Sequence, residues 1–374
     1  MTVQRIDMPN MGIAYLVTGY EEARAAFTDP RLCRDARNAP DWLRDRVVQN
    51  QRESGLGRNM LDSDPPDHTR LRQAVKRAFT PRRVESLRPR VGEITSGLLD
   101  RMAGQDELDL MDEFAFPLPV TVICDLLGLP YADQDQFRGW TARLLMGGED
   151  REASRAASHA IRGYLEDFVA GITVEDLPED AQPDLTHALI RAGQLDHDEL
   201  VSMLMLLLIA GHETTVNLIG TGMVSLFTNP AQLELLLADL SLVPQAVEEM
   251  LRFDGPIVSA PPRIAAQDLT LGGTDIPAGS VVAIALPAAN RDPARFDDPD
   301  FLDLTRTNNA HLAFGHGTHF CLGAALARME AEIAFTALLT RFPGIGLAVP
   351  WQDLTWRSGM VRALNALPVR LKAA

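Results

Sequence analysis

Apolar residues recur at spacings of three and four along most of this chain, and this spacing places them on one face of an α-helix. Together with Gly and Pro stop signals, the pattern predicts helices over residues 21–28, 68–79, 81–102, 116–127, 151–170, 198–227 and 243–253. The segment 198–227 is apolar nearly all round in its first half, so we expect it to cross the centre of the fold.

Strand-like segments are few and short. They cover residues 14–17, 263–271 and 280–286, and a C-terminal pair lies around 361–371. Because helical patterns dominate, we predict a mainly α fold in which one large helical domain carries small peripheral β-sheets.

No apolar run is long enough to predict a membrane span. The most apolar run, Met203–Gly211, has nine residues, whereas a helix that crosses a bilayer needs about twenty. Residues 1–10 lack the apolar core of a signal peptide, and three cysteines do not indicate a disulfide framework. We therefore expect a cytoplasmic, monomeric protein that does not bind membranes.

The chain is acidic, with a formal net charge of −16, which argues against nucleic-acid binding. One segment departs from this balance, because residues 70–90 contain eight basic residues and a single acid, Glu85. We call this segment the basic stripe. Most charge runs are solvated helix faces, so the stripe by itself predicts no partner.

The strongest chemical signal is the string FGHGTHFCLG, which runs from Phe314 to Gly323. Gly315 and Gly317 allow a positive φ and a close approach to a flat ligand. A helical pattern begins after Cys321, so the free N–H groups at its start would stabilise a thiolate, the form that haem iron binds.

Two other interpretations of Cys321 stay open at this point. A lone cysteine is most often a buried structural residue. A zinc site is the second alternative, although the spacing lacks paired short knuckles. Its ligands would be Cys321 and the nearby His311, His316 and His319.

The string at 314–323 resembles the signature Phe-Gly-x-Gly-x-His-x-Cys-x-Gly of the cytochrome P-450 superfamily, and it meets every fixed position. The resemblance implies a cytochrome P-450 fold with a long central helix over a haem b. It further implies that Cys321 is the axial ligand of the iron and that His319 contacts a haem propionate. Phe314 would pack beside the thiolate, with Gly315 and Gly323 completing the haem-binding loop.

A second signal, AGHETT, lies inside the predicted central helix. The Thr214 hydroxyl can donate to the Ala210 carbonyl four residues earlier, which opens the helix locally, and the small Gly211 would leave room for a diatomic ligand. The pattern is similar to the acid–alcohol pair of the same family. That similarity implies that Glu213 and Thr214 deliver protons for O–O cleavage, whereas His212 has no assigned role.

A third signal is Glu249 with Arg252, which share one helix face at a spacing of three. Such pairs are common on surfaces and contribute little alone. Here the pair resembles the family's Glu-x-x-Arg motif, whose third member would be Arg306. The resemblance implies a structural role, in which the three side chains hold the cysteine loop.

A fourth signal is His68 with Arg72, which lie on one helix face at a spacing of four. Two donors aimed together suit a carboxylate, although surface charge is the simpler reading. The string around them resembles the helix with which family members grip a haem propionate. Arg263, after Ala260-Pro261-Pro262, resembles a further propionate ligand.

The resemblance extends from about Tyr15 to the last predicted strand, so we expect a single domain over residues 1–374. Family members carry a first helix that has no counterpart before Tyr15. We expect substrate specificity to reside in residues 40–61, 141–173 and 358–363.

The resemblance implies a monooxygenase that inserts one atom of O2 into a hydrophobic small molecule. The sequence looks most like bacterial members that modify polyketides, terpenoids or peptides in secondary metabolism. Electrons from NAD(P)H would arrive through a ferredoxin reductase and a ferredoxin that docks near Lys76 and Arg77. Three alternatives remain: a peroxide-driven haem peroxygenase, a non-catalytic haem-binding protein and a zinc hydrolase.

Overall fold

A long central helix organises the fold. The computed structural model describes residues 1–8, 12–39, 41, 44–45, 49, 55–130, 134–145, 151–173, 184–357 and 359–371. Its helices are α1 (Tyr20–Thr28), α2 (Asp67–Lys76), α3 (Pro81–Met102), α4 (Pro117–Leu127), α5 (Gln134–Leu145), α6 (Arg151–Ala170), α7 (Leu185–Ala192), α8 (His197–Thr228), α9 (Pro230–Ala238), α10 (Val243–Asp254), α11 (Leu286–Ala289) and α12 (Ala324–Arg341). Parts of the three expected specificity segments lie outside the described residues.

Short strands form small sheets around the helices, so the prediction of a mainly α fold is confirmed. The strands are β1 (Val3–Met8), β2 (Gly12–Val17), β3 (Leu32–Cys33), β4 (Glu107–Asp109), β5 (Ser259–Ala265), β6 (Leu269–Leu271), β7 (Thr274–Ile276), β8 (Val281–Ala285), β9 (Gly346–Leu347), β10 (Trp356–Arg357), β11 (Ala363–Leu364) and β12 (Pro368–Arg370). The largest sheet has the order β1-β2-β8-β5-β3.

The central helix α8 begins at a capping box. The Asp196 side chain accepts from the Glu199 N–H at 2.8 Å, and the Glu199 side chain accepts from the Asp196 N–H at 3.3 Å. The helix packs against α4, α6, α10 and α12. It is long and apolar enough to cross a membrane, but 78% of its apolar window is buried inside the fold, as expected for a core helix.

The helix that follows the cysteine loop, α12, packs tightly against α8. A Cβ added at Gly222 of α8 would lie 2.6 Å from the Phe335 ring of α12. Only glycine permits this approach, since real Cβ contacts are longer. The approach sets the position of α12, and α12 in turn sets the position of the loop before it.

One strand prediction was wrong, for a nonlocal reason. The predicted strand 263–271 is two strands, because β5 joins the large sheet while β6 forms a hairpin with β7. The two C-terminal strands are confirmed as β11 and β12; β11 pairs with β10, and β12 lies between β4 and β9. The strand β1, which pairs antiparallel with β2, was not predicted.

Candidate active site

The loop before α12 is held in a shape that needs glycine. Gly315 and Gly317 have φ values of 72° and 74°, where L side chains are strained. A Cβ at Gly317 would also lie 3.1 Å from the Phe27 carbonyl oxygen. The Cys321 N–H donates to the Phe314 carbonyl at 2.9 Å and closes the loop.

The Cys321 thiol lies two residues before Gly323, the N-cap of α12. Burial raises its pKa, whereas a backbone hydrogen bond from Gly323 and the charges of Arg72 and Arg328 act in the opposite direction. The side chain is nevertheless accessible. The Gly323 N–H and the two arginine charges favour the thiolate form, and burial keeps the net pKa of the thiol above its ordinary value.

The aromatic residues of the loop lie against cations. The Arg328 guanidinium lies 4.4 Å from the centre of the Phe314 ring, and the Phe320 ring lies 6.3 Å from that of Phe314. Phe320 is 41% exposed. The loop therefore presents the exposed apolar side chain of Phe320 close to Phe314 and the Arg328 charge.

The histidines near the cysteine point to different partners. His311 lies 3.3 Å from the Glu248 carboxylate, and the ring of His319 stacks at 4.2 Å on that of His68. Within the described residues, no three His, Cys, Asp or Glu side chains are placed to hold a metal ion. This geometry does not support the zinc alternative.

Buried donors without partners collect beside the loop. His68 Nε2 and Arg263 Nε are both buried, and neither has a hydrogen-bond partner in the described part of the chain. A second Arg263 nitrogen donates to the Leu32 carbonyl at 3.1 Å. Buried polar groups are normally hydrogen-bonded, so two orphaned donors indicate a site for an anion.

The same cluster is strongly electropositive. Burial, followed by the charges of His68, Arg263, Arg34 and Arg72, lowers the pKa of His319 to about 3. Burial, together with the charge of Arg34, lowers the pKa of Arg263 to about 10. A bound carboxylate would relieve both effects.

Sequence reasoning missed Arg34. Its guanidinium pairs with Asp62 at 2.6 Å and donates to the Leu61 carbonyl at 3.0 Å. It lies in a segment without helical or strand periodicity, so no local signal marked it. Its effect on the pKa values of Arg263 and His319 comes only from the fold.

Arg72 is placed differently from His68. Its guanidinium donates to the Phe320 carbonyl at 2.6 Å, so it ties α2 directly to the cysteine loop. His68 and Arg72 both lie on α2, as predicted. In this structure, however, the Arg72 guanidinium is bonded to a backbone carbonyl, so it stays a prediction that the two side chains aim at one carboxylate.

The central helix has one open patch. Ala210 is exposed and Gly211 and Thr214 are half-buried, whereas residues 200–208 and 215–226 are buried. The Thr214 hydroxyl donates to the Ala210 carbonyl at 3.1 Å, as the spacing predicted. The patch leaves part of the Thr214 side chain accessible in a helix that is otherwise mostly buried.

Gly211 has a packing role. A Cβ at this position would lie 2.7 Å from Ile123 Cδ1 of α4. The missing side chain therefore lets α4 pack closely. That Gly211 also leaves room for a diatomic ligand stays a prediction.

Glu213 is buried beside Thr214, with 5% of its surface exposed. Burial would raise the pKa of its carboxyl, but hydrogen bonds from His212 and Thr141 and the charges of His212 and Arg357 outweigh burial and lower the pKa. Glu213 thus stays ionised in an apolar setting, held by groups that the sequence had not assigned to the site.

Glu249, Arg252 and Arg306 meet in a buried cluster. Arg252 donates to the Glu249 carboxylate twice, at 2.8 Å each, and both side chains are fully buried. Arg306 reaches the same carboxylate at 3.2 Å. Arg252 also donates to backbone carbonyls of residues 290, 299 and 301. The cluster therefore joins α10 to the chain that leads into the cysteine loop.

The basic stripe divides into paired and free residues. Arg88 and Arg90 pair with carboxylates of their own and neighbouring helices, and Arg70 pairs with Glu199. Within the described residues, no ion pair involves the exposed Lys76, Arg77 and Arg82 or the half-buried Arg83. The free residues flank Arg72, which contacts the cysteine loop.

Comparisons with known proteins agree with this geometry. The cytochrome P-450 family profile matches residues 136–344. Cytochrome P-450 107B1 of Saccharopolyspora erythraea is 48% identical, over 98% of this chain and 92% of its own length. The 6-deoxyerythronolide B hydroxylase of the same organism is 42% identical, over 96% of this chain and 90% of its own length. The solved structure of the tirandamycin C-bound P-450 monooxygenase TamI covers 99% of this chain and 94% of its own, with a TM-score of 0.90 and 45% identity.

Proposed function

This chain belongs to the cytochrome P-450 family, and we propose that it oxidises a polyketide with electrons from a ferredoxin. Its relatives are monooxygenases and hydroxylases, so the protein is an oxidoreductase of the same kind. The polyketide class is favoured because a relative that is 39% identical carries the name polyketide biosynthesis cytochrome P-450 PksS. By the same analogy we place the reaction in the bacterial cytoplasm.

One observation carries the proposal: orphaned buried donors lie beside a cysteine loop whose thiol receives a backbone N–H. These groups fit a flat cofactor with two carboxylates and a metal that binds sulfur. Haem b would supply the iron at which O2 is activated, with Cys321 as its axial ligand. The chain's own residues would position the cofactor and control protons around it.

We assign the two haem propionates to the electropositive cluster. His68 Nε2 and Arg263 Nε would each donate to a propionate oxygen, and His319 would add a third donor. Arg72 would contribute its charge while it holds the Phe320 carbonyl. This assignment fails if more than one of these four side chains lies beyond about 3.5 Å from a propionate in the haem-loaded protein.

We assign proton transfer to Thr214 and Glu213, which both lie on α8. The Thr214 hydroxyl donates to the Ala210 carbonyl at 3.1 Å, so it would turn away from that carbonyl when it donates toward the interior. The Glu213 carboxyl, once protonated, would resupply the Thr214 proton.

Turnover under two oxidant regimes tests the proposed function. We expect the purified haem-loaded protein to hydroxylate a macrolactone probe, 6-deoxyerythronolide B or another member of a polyketide panel, when ferredoxin, its reductase, NAD(P)H and O2 are present. Hydrogen peroxide alone should give little product, because the acid–alcohol pair serves O2 cleavage. Product formed only with peroxide would establish the peroxygenase alternative. Haem binding without product in either regime would support a non-catalytic haem protein.

We expect the free part of the basic stripe to guide the ferredoxin. Lys76→Glu with Arg77→Glu should slow electron transfer from an acidic ferredoxin at least tenfold at low salt and flatten its ionic-strength dependence, because the local attraction becomes repulsion. Stopped-flow reduction under CO measures this rate.

The matched control is Arg101→Glu with Arg341→Glu, which makes the same change in net charge. Arg101 lies in the last turn of α3, and Arg341 ends α12, about 27 Å along the helix from its start beside the cysteine loop. These exchanges should leave the reduction rate nearly unchanged. Equal rates for both double variants would assign the stripe to solubility alone.

A further inference from the structure

We infer that His212 is a positioning residue that shares one proton with the Glu213 carboxyl and so keeps the acid of the proton relay loaded. The inference deepens the proposed function and rests on it. It concerns a fully buried side chain at a position to which the sequence pattern gave no role.

The tautomer of His212 is set by the backbone. Its Nδ1 lies 2.6 Å from the Leu208 carbonyl oxygen. A carbonyl oxygen can only accept, so Nδ1 carries a hydrogen in every protonation state of the ring. Any further proton of this imidazole must therefore be on Nε2.

His212 Nε2 faces two oxygen atoms. It lies 3.4 Å from Thr141 Oγ1 and 3.6 Å from Glu213 Oε1. The Thr141 hydroxyl has one hydrogen, which goes either to the Phe137 carbonyl at 2.9 Å or to the Glu213 carboxylate, so in both cases its oxygen presents a lone pair to the ring. Without a proton on Nε2 or on the carboxyl, the imidazole lone pair would face oxygen lone pairs of both Thr141 and Glu213 in the interior.

Burial makes that arrangement costly. His212 has no exposed surface, and Glu213 has 5%. In such a setting, charges and lone pairs are poorly screened. One proton therefore lies between the two groups, either as imidazolium with carboxylate or as neutral imidazole with neutral carboxyl.

Among the described residues, few other charged side chains lie near His212 and Glu213. Arg357, on the C-terminal hairpin, acts on Glu213 through space. Phe116, which precedes α4, presents its ring at 90° to the imidazole, with centroids 5.8 Å apart. Arg138 of α5 stacks at 5.1 Å on that phenyl ring and pairs with Asp112, so its charge is already matched. The positive charge of Arg357 favours the carboxylate, which leaves the shared proton on His212 at rest.

The shared proton can then be transferred to Thr214 and replaced. It moves from His212 Nε2 to Glu213 Oε1, which leaves a neutral imidazole and a neutral carboxyl. The carboxyl releases the proton toward Thr214, and a proton from water restores the imidazolium. Glu213 alone, as a carboxylate near neutral pH, would hold no such proton.

Imidazole nitrogen shifts provide a test that does not depend on turnover. In 15N-histidine-labelled ferrous, CO-bound protein, which is diamagnetic, we expect His212 Nδ1 and Nε2 both to be protonated from about pH 6 to 8. Glu213→Gln removes the counter-charge, so the Nε2 signal should move toward that of an unprotonated ring nitrogen within the same pH range. An Nε2 that is unprotonated throughout, or a titration unchanged by Glu213→Gln, would overturn the shared proton.

The functional arm uses His212→Gln, which keeps a polar amide of similar reach but carries no titratable proton. Product per NAD(P)H should fall at least threefold at pH 8 and recover toward pH 6, with haem content unchanged. The matched control, His187→Gln, removes the histidine of another acid pair, 2.7 Å from Asp184, and should not change coupling. Equal coupling for His212→Gln and the parent would refute the relay role.

The two arms separate this inference from the proposed function. If the protein makes no product with ferredoxin, the proposed function fails while the nitrogen shifts still decide whether the proton is shared. If product forms and the shifts show no shared proton, only the inference fails.

Discussion

Replacing Arg252 by methionine is expected to lower the free energy of unfolding by about 3–5 kcal/mol. The change leaves the Glu249 carboxylate buried without its bidentate partner, and it removes three donors to backbone carbonyls. Desolvated charges without partners are among the costliest defects in a protein. Guanidinium denaturation followed by circular dichroism measures the loss. We also expect the variant to bind haem poorly, because the cluster braces the approach to the cysteine loop.

The control for Arg252 is Arg370→Met, which removes an arginine from an exposed pair with Glu107. Here the partners are 46% and 59% exposed, so water replaces the lost contact. That variant should lose less than about 1 kcal/mol. Similar losses in both variants would mean that the buried cluster does not hold this part of the fold.

Replacing Thr214 by alanine is expected to separate NAD(P)H consumption from product formation. The hydroxyl lies in the open patch of α8, where its oxygen is fixed by the Ala210 carbonyl. Alanine supplies no proton donor at that point, so activated oxygen should leave as peroxide. Because general acid catalysis is worth about 10²–10⁴ in rate, product formation should drop by roughly a hundredfold. NADPH oxidation, peroxide and product are measured in the same sample.

Thr214→Ser tests whether the hydroxyl itself matters. Serine keeps the oxygen and can donate to the same carbonyl, so at least half of the coupling should return. If Thr214→Ala forms as much product per NAD(P)H as the parent, the threonine is not in the proton path.

Local sequence signals were sufficient to predict the bounds of the long helices. Helix α3 has the predicted bounds because Pro81 starts it and the Thr80 hydroxyl accepts from the Arg83 N–H at 3.4 Å. Helix α6 also has its predicted bounds. By contrast, α9 is apolar without a one-sided pattern, and the sequence did not predict it. Contacts with neighbouring elements, and not the periodicity of its sequence, determine that this segment is helical.

Nonlocal contacts account for what the sequence could not predict in the site. The motifs placed Cys321, Glu213 and Thr214 on the correct elements, because their chemistry depends on nearby backbone. The partners of those residues come from elsewhere. Thr141 lies 71 residues from His212, with which it makes contact, and Arg34 reaches Arg263 from a distant segment. Contacts of this kind, between distant segments, cannot be predicted from the periodicity of either segment.

The most direct test of the central claim is the absorption spectrum of the reduced, CO-bound protein, with Cys321→Ala as comparison. A haem held by the Cys321 thiolate should give the long-wavelength band that distinguishes thiolate-bound haem from histidine-bound haem. Cys321→Ala should lose this band, together with all NAD(P)H-driven product. A histidine-type spectrum in freshly purified parent protein, or a thiolate band that survives in Cys321→Ala, would contradict the assignment of Cys321 as the iron ligand.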